Sequence, residues 1–79
     1  MSSKYMKKIM IQIKTFSLNN EKYTTESDIN LHDLITYFDY NESLLVLEYN
    51  QVIFDKSHWK TTFISDSDEI EIVTIVGGG

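Results

Sequence analysis

The sequence predicts an α+β domain, a mixed sheet of four to five strands with one main helix packed on one face. Three observations predict it. Short apolar runs rich in Ile, Val and Leu recur near residues 9–18, 44–54 and 69–76. A single stretch, Leu31 to Phe38, carries apolar residues at helical spacing. The residues between the runs, Asn19-Asn20, Asn50-Gln51 and Asp66-Ser67-Asp68, are of the kinds that reverse a chain.

Ile9, Ile11 and Ile13 alternate with Met10, Gln12 and Lys14, the period of a strand with one buried face. Phe16 and Leu18 continue the apolar set on the opposite parity. Either a bulge sits near Lys14-Thr15, or the strand changes the side it turns to the core. Asn19-Asn20 turns the chain, because Asn tolerates positive φ, and Lys22 to Thr25 returns as a hairpin. After a polar loop, Asn30 is a good N-cap, and the carboxylate of Asp33 favours the helix N-terminus. Leu31, Leu34, Ile35 and Phe38 then form one buried helix face, and the helix is expected to end between Phe38 and Tyr40.

Leu44 to Tyr49 is a third strand, apolar on both faces until Glu48. Asn50-Gln51 turns into a short fourth strand, Val52 to Phe54, and Asp55 to Trp59 makes one helical turn that returns Trp59 to the body. Trp59 is expected to cap the core, with its indole N–H on a partner. The last strand, Glu69 to Val76, directs Ile70, Ile72 and Thr74 inward and Glu69 and Glu71 outward. First and last strands pair in the middle of such a sheet. The organisation expected is a flexible extension over 1–8, one domain over 9–76, and a flexible glycine tail over 77–79.

The chain has 79 residues and no cysteine, so one small core must suffice and neither disulfides nor thiolate metal sites are available. Net charge is −5 with no arginine, which leaves no footprint for a phosphate backbone and disfavours nucleic acid as a partner. The acidity suits a basic partner surface. The basic N-terminal residues lack the apolar run and cleavage site of a signal peptide, and no stretch is long enough to span a membrane. A soluble protein in a reducing compartment is expected, the cytoplasm, or the plastid stroma if organelle-encoded. The absence of Ala, Arg and Pro beside abundant Ile, Asn and Lys fits an AT-rich, organellar genome.

His32 and His58 lack a second ligand at metal-site spacing and read as half-exposed surface residues, so no metal site is expected. Asp66, Asp68, Glu69 and Glu71 lack the interleaved glycine of a calcium loop and read as solvated charges; Glu69 and Glu71 can also form a docking surface beside the tail. All the glycines stand together at Gly77, Gly78 and Gly79. A frayed end explains them plainly. The sharper reading is a tether without Cβ atoms that a partner channel can grip from all sides, reaching about 10 Å when extended. Its α-carboxylate becomes reactive once joined to AMP, and a sulfur donor displacing the AMP leaves a thiocarboxylate. No group in the chain supplies that catalysis.

Several segments in order resemble the ThiS family, the sulfur carriers of thiamine thiazole biosynthesis with a ubiquitin-like β-grasp fold. They are Leu18-Asn19-Asn20-Glu21 at the first turn, Asn30 to Ile35 at the helix start, Tyr49 to Ile53 ahead of Trp59, and Asp66 to Ile72 running into the glycine end. Ser67 replaces the glycine usual in that last turn, so the turn should be one a serine adopts, and Asp55 stands where proline is common. The resemblance implies that Gly79 is adenylated by a ThiF-type enzyme using ATP and Mg²⁺. It further implies that Gly79 is converted to the thiocarboxylate by way of a sulfur-donor enzyme and delivered to a ThiG-type thiazole synthase. Gly78 and Gly79 match the terminal Gly-Gly, and Val76, Gly77 and Gly78 would be held by partners. The chain would then be a carrier and no enzyme, with no cofactor of its own. A molybdopterin-type sulfur carrier, which tends to carry prolines before its glycines, is the nearest alternative. A ubiquitin-like modifier joined through Gly79 and a plain β-grasp binding module are the others.

Overall fold

The structure, a computed structural model, describes residues 12–75. The expected extension over 1–8, the strand start at Ile9 to Ile11, and Val76 to Gly79 lie outside the described residues.

The elements are β1 (Lys14–Leu18), β2 (Glu21–Thr25), α1 (Leu31–Tyr37), a 3-10 turn (Glu42–Leu44), β3 (Leu45–Tyr49), β4 (Val52–Ile53), a second 3-10 turn (Lys56–Thr61) and β5 (Glu69–Thr74). They form one mixed sheet in the order β2-β1-β5-β3-β4. β5 is parallel to β1 and antiparallel to β3, so the last strand is the central one, flanked on one side by the first.

Phe16 and Leu18 are buried, whereas Ile13 is 61% exposed. The β1–β2 ladder pairs residues one to one from Lys14↔Thr25 to Leu18↔Glu21, with no bulge in it. The strand therefore gives the core its Phe16 face, and Ile13 precedes the sheet. Asn19 and Asn20 both adopt positive φ (50° and 68°), as do Asn50 and Gln51 (51° and 71°). Each pair closes a two-residue hairpin whose left-handed backbone matches the twist of its strands. Asn suits that conformation; Gln51 adopts it without the local side-chain support that Asn offers.

Helix α1 begins at a reciprocal capping box. The Asn30 side chain accepts from Asp33 N–H (2.7 Å), and the Asp33 side chain accepts from Asn30 N–H (3.0 Å). Leu31, Leu34 and Ile35 are buried, and the C-cap is Phe38, followed by Asp39 at φ 59°. They pack on Phe16, Leu18, Leu45, Leu47, Ile70 and Ile72 from the sheet, with Trp59 and Ile64 completing the core. Burial of one such Leu or Ile side chain contributes about 1.5–3 kcal/mol. The indole N–H of Trp59 donates to Phe54 O at 3.1 Å, so this residue is the core cap its sequence position suggests.

Some expectations are corrected. Leu44 belongs to a 3-10 turn capped by Asn41, not to β3, and Phe54 lies beyond β4. Thr74 is exposed, lying past Ile72, the last residue of β5 that packs in the core. Ser67 sits at φ 71°, so the turn keeps the left-handed geometry that favours glycine and the serine conforms to it.

Candidate functional site

The site is the end of β5 from which the chain leads into the glycines. What fixes this strand is a set of bonds on both of its edges. On the β3 side, Asn50 N–H donates to Glu69 O (2.7 Å) and Ile75 N–H donates to Leu44 O (2.6 Å), so pairing persists to the last described residue. On the β1 side, Ser17 N–H donates to Asp68 O and Asn19 N–H to Ile70 O, each at 2.9 Å. Two turn asparagines add side-chain acceptors. Asn50 Oδ1 takes Glu69 N–H (2.8 Å), and Asn19 Oδ1 takes Ile72 N–H (2.7 Å). Both sides thus hold the strand as far as Ile72, and the β3 side alone holds it on to Ile75.

Asp68, at the start of β5, is buried, with 7% exposure. Its carboxylate accepts from Tyr49 OH (2.5 Å), Asn50 Nδ2 (3.1 Å) and Ser65 N–H (2.7 Å). Burial, and after it the hydrogen bond to Asp68, pushes the Tyr49 hydroxyl up to about 12. Asp68 is therefore not the solvated turn charge its sequence neighbourhood suggests. Asp66 is also engaged, accepting Thr15 N–H at 2.7 Å. The sequence signal for the buried acid was slight: an Asp one residue before a strand, opposite a Tyr-Asn turn.

Along β5, Ile70 and Ile72 face the helix, while Glu69, Glu71 and Val73 are exposed on the other face. Glu48 stands directly opposite Glu71, and Val46 opposite Val73. Like charges placed across a strand pair are unfavourable. Among the described residues none of Glu48, Glu69 and Glu71 has an ion-pair partner; the pairs present are Lys14–Asp28, His32–Glu42 and Lys56–Glu42. Close to the exit the same face turns apolar, with Val73 61% and Ile75 51% exposed.

The two histidines stay apart. His32 Nε2 lies 3.2 Å from Glu42 Oε2, and the His58 ring sits 5.9 Å from that of Phe54. No group of three or more His, Asp or Glu suited to a metal is present among the described residues. No helix among them is long and apolar enough to cross a membrane. Val76, Gly77, Gly78 and Gly79, the residues singled out for partner binding and modification, lie outside the described residues, immediately beyond this exit.

The chain is similar to several known proteins. The chain is similar to the ycf40 protein of Trieres chinensis, 61% identical over 66 residues that make up 84% of this chain and 90% of that one. A ycf40 protein of Porphyra purpurea is 36% identical over 73 residues, 92% of this chain and 96% of its own. That of Pyropia yezoensis is 31% identical over 65 residues, 82% and 92% of the two chains. The fold is shared with the crystal structure of the thiamine biosynthesis protein ThiS from Geobacter metallireducens. That structure has a TM-score of 0.69 and 19% identity, and the match covers 82% of this chain and 99% of that one. The sequence model of the ThiS family matches residues 10–79. The match spans the whole described sheet and helix and runs on through the three glycines of the sequence, and the chain belongs to the ThiS family of small sulfur carriers.

Proposed function

We propose that this carrier takes up sulfur as a thiocarboxylate on Gly79 and delivers it to thiazole formation in thiamine biosynthesis. The observation that carries the reading is the anchoring of β5, on its β1 edge as far as Ile72 and on its β3 edge as far as Ile75, four residues before Gly79. A fixed base with a Cβ-free tether aims a carboxylate into another protein's site and orders few residues on binding. In the proposed sequence a ThiF-type enzyme, using ATP and Mg²⁺, joins the Gly79 carboxylate to AMP with loss of pyrophosphate. A sulfur-donor enzyme supplies the nucleophile that attacks the acyl carbon, and AMP leaves. A ThiG-type thiazole synthase is the acceptor. Val76, Gly77 and Gly78 are the residues these partners enclose. The chain contributes no catalytic group and binds no cofactor in this scheme.

The plastid stroma is the proposed compartment, because the relatives carry ycf40 names, a designation used for plastid reading frames, and the composition fits an AT-rich genome. Intact-mass spectrometry tests the chemistry. The chain incubated with ATP, Mg²⁺, a ThiF-type enzyme and a sulfur donor should gain the mass of sulfur replacing oxygen, localised to the C-terminal peptide. Isopeptide-linked adducts would instead identify a modifier, and an unaltered tail would sink the proposal.

A further inference from the structure

The two edges of β5 are used unequally, and the difference falls beside the tail. Toward β3 the odd-numbered residues are bonded, from Glu69 to Ile75. Backbone groups alternate in direction along a strand, so the even-numbered residues face β1. There the parallel ladder covers only Ser17↔Glu69 and Leu18↔Ile70, and the Ile72 N–H goes to the Asn19 side chain. Beyond that point no strand among the described residues lies alongside. The Ile72 C=O and the Thr74 N–H and C=O are left on an open edge among the described residues, although β5 is the central strand of the sheet.

We propose that this open edge of β5 is a docking edge, on which the activating partner adds an extended, basic segment as a further strand. This rests on the function proposed above and names how that partner holds the carrier. Strand addition supplies main-chain hydrogen bonds at the Ile72 C=O and at the Thr74 N–H and C=O. Charge selects the segment. Glu69 and Glu71 on β5, with Glu48 across from Glu71, stand together without a cation among the described residues. They line a concavity of about 250 Å³ together with Ser17, Asn20 and Gln51. Glu71 lies three residues, about 10 Å, behind Thr74, within reach of Lys or Arg side chains from a strand seated on the edge. A basic occupant also relieves the Glu48–Glu71 repulsion that the free carrier sustains.

Amide hydrogen exchange read by NMR is the direct test. In the free chain, Thr74 N–H should exchange much faster than Ile75 N–H, and a saturating ThiF-type enzyme should slow it at least tenfold. The triple variant E48Q/E69Q/E71Q should fold at least as well, bind that enzyme at least tenfold more weakly at low salt, and lose most of the salt dependence of binding. Thr74→Pro, which removes the donor but no bond to β3, should weaken binding tenfold, while Thr74→Val should not. Binding that leaves Thr74 exchange unchanged, or a triple variant with unaltered affinity, overturns the proposal. So does Thr74 protection already present in the free chain, or protection that rises with its own concentration; these would mean that residues 1–11 or a second copy fill the edge. If the enzyme does not bind at all, the assignment of that partner has failed instead. The edge is then read with a synthetic peptide of alternating Val and Lys, where protection of Thr74 supports the proposal and its absence overturns it.

Discussion

Ser67 carries a backbone conformation for which its side chain gives no support. It lies at φ 71° with its N–H donated to Thr15 O at 2.6 Å, and no hydrogen bond of its hydroxyl is present among the described residues. A left-handed residue with a Cβ costs about 1–2 kcal/mol, partly offset against glycine by the entropy glycine loses on folding. Ser67→Gly should therefore stabilise the domain by about 0.5–1 kcal/mol, a rise in Tm of several degrees for a domain of this size. Thermal unfolding followed by circular dichroism checks it; an unchanged or lower Tm would mean the turn relaxes around the serine. The Tyr49–Asp68 contact makes a second prediction. The folded state raises the Tyr49 hydroxyl to about 12, so its contribution is complete below pH 10 and is lost as pH rises through about 12. Urea midpoints should fall over that window more steeply for the natural chain than for Tyr49→Phe, while the variant is less stable at neutral pH. Equal slopes would show that burial and Asp68 do not hold the phenol neutral.

At the scale of elements, local signals were legible where a side chain acts on its own backbone. Asn30 and Asp33 announce the start of α1, and Asn19-Asn20 and Asn50-Gln51 announce two hairpins, because capping and positive φ are decided within a few residues. The 3-10 turn at Glu42–Leu44 was not legible, since three residues show no period; the Asn41 cap that bonds Ser43 N–H is its trace. Nor was the second use of Asn19 and Asn50, whose side chains reach across to β5. Such bonds join residues about 20 to 50 positions apart and leave no pattern in one sequence. Asn30→Ala should cost about 1 kcal/mol by uncapping α1. Chemical denaturation is the measurement, and a loss below a few tenths would assign the helix start to packing alone. Asn19→Ala should speed amide exchange at Ile72 specifically, as its acceptor is lost while the β3 ladder remains.

For the whole molecule, the division of labour between core and tail is open to measurement. If the core ends its work at Ile75, deleting Gly79 should leave Tm within about 1 °C while abolishing the gain of sulfur mass, because the deletion buries and exposes no apolar surface. A large drop in Tm would place the last glycine against the body and contradict a free tether. Sequence by itself determined the order of the five strands and the helix, the helix cap, the apolar faces of α1 and β5, and the gathering of every glycine beyond β5. Those features follow from periodicity, turn chemistry and composition, which act over short distances along the chain. Tertiary structure alone decided that β1 offers Phe16 and Leu18 and leaves Ile13 outside, that Asp68 is buried, and that Thr74 faces solvent. These depend on which residues remote in sequence come to lie beside one another, as Tyr49 and Asn50 do beside Asp68, and a contact of that kind leaves no short-range pattern along the chain.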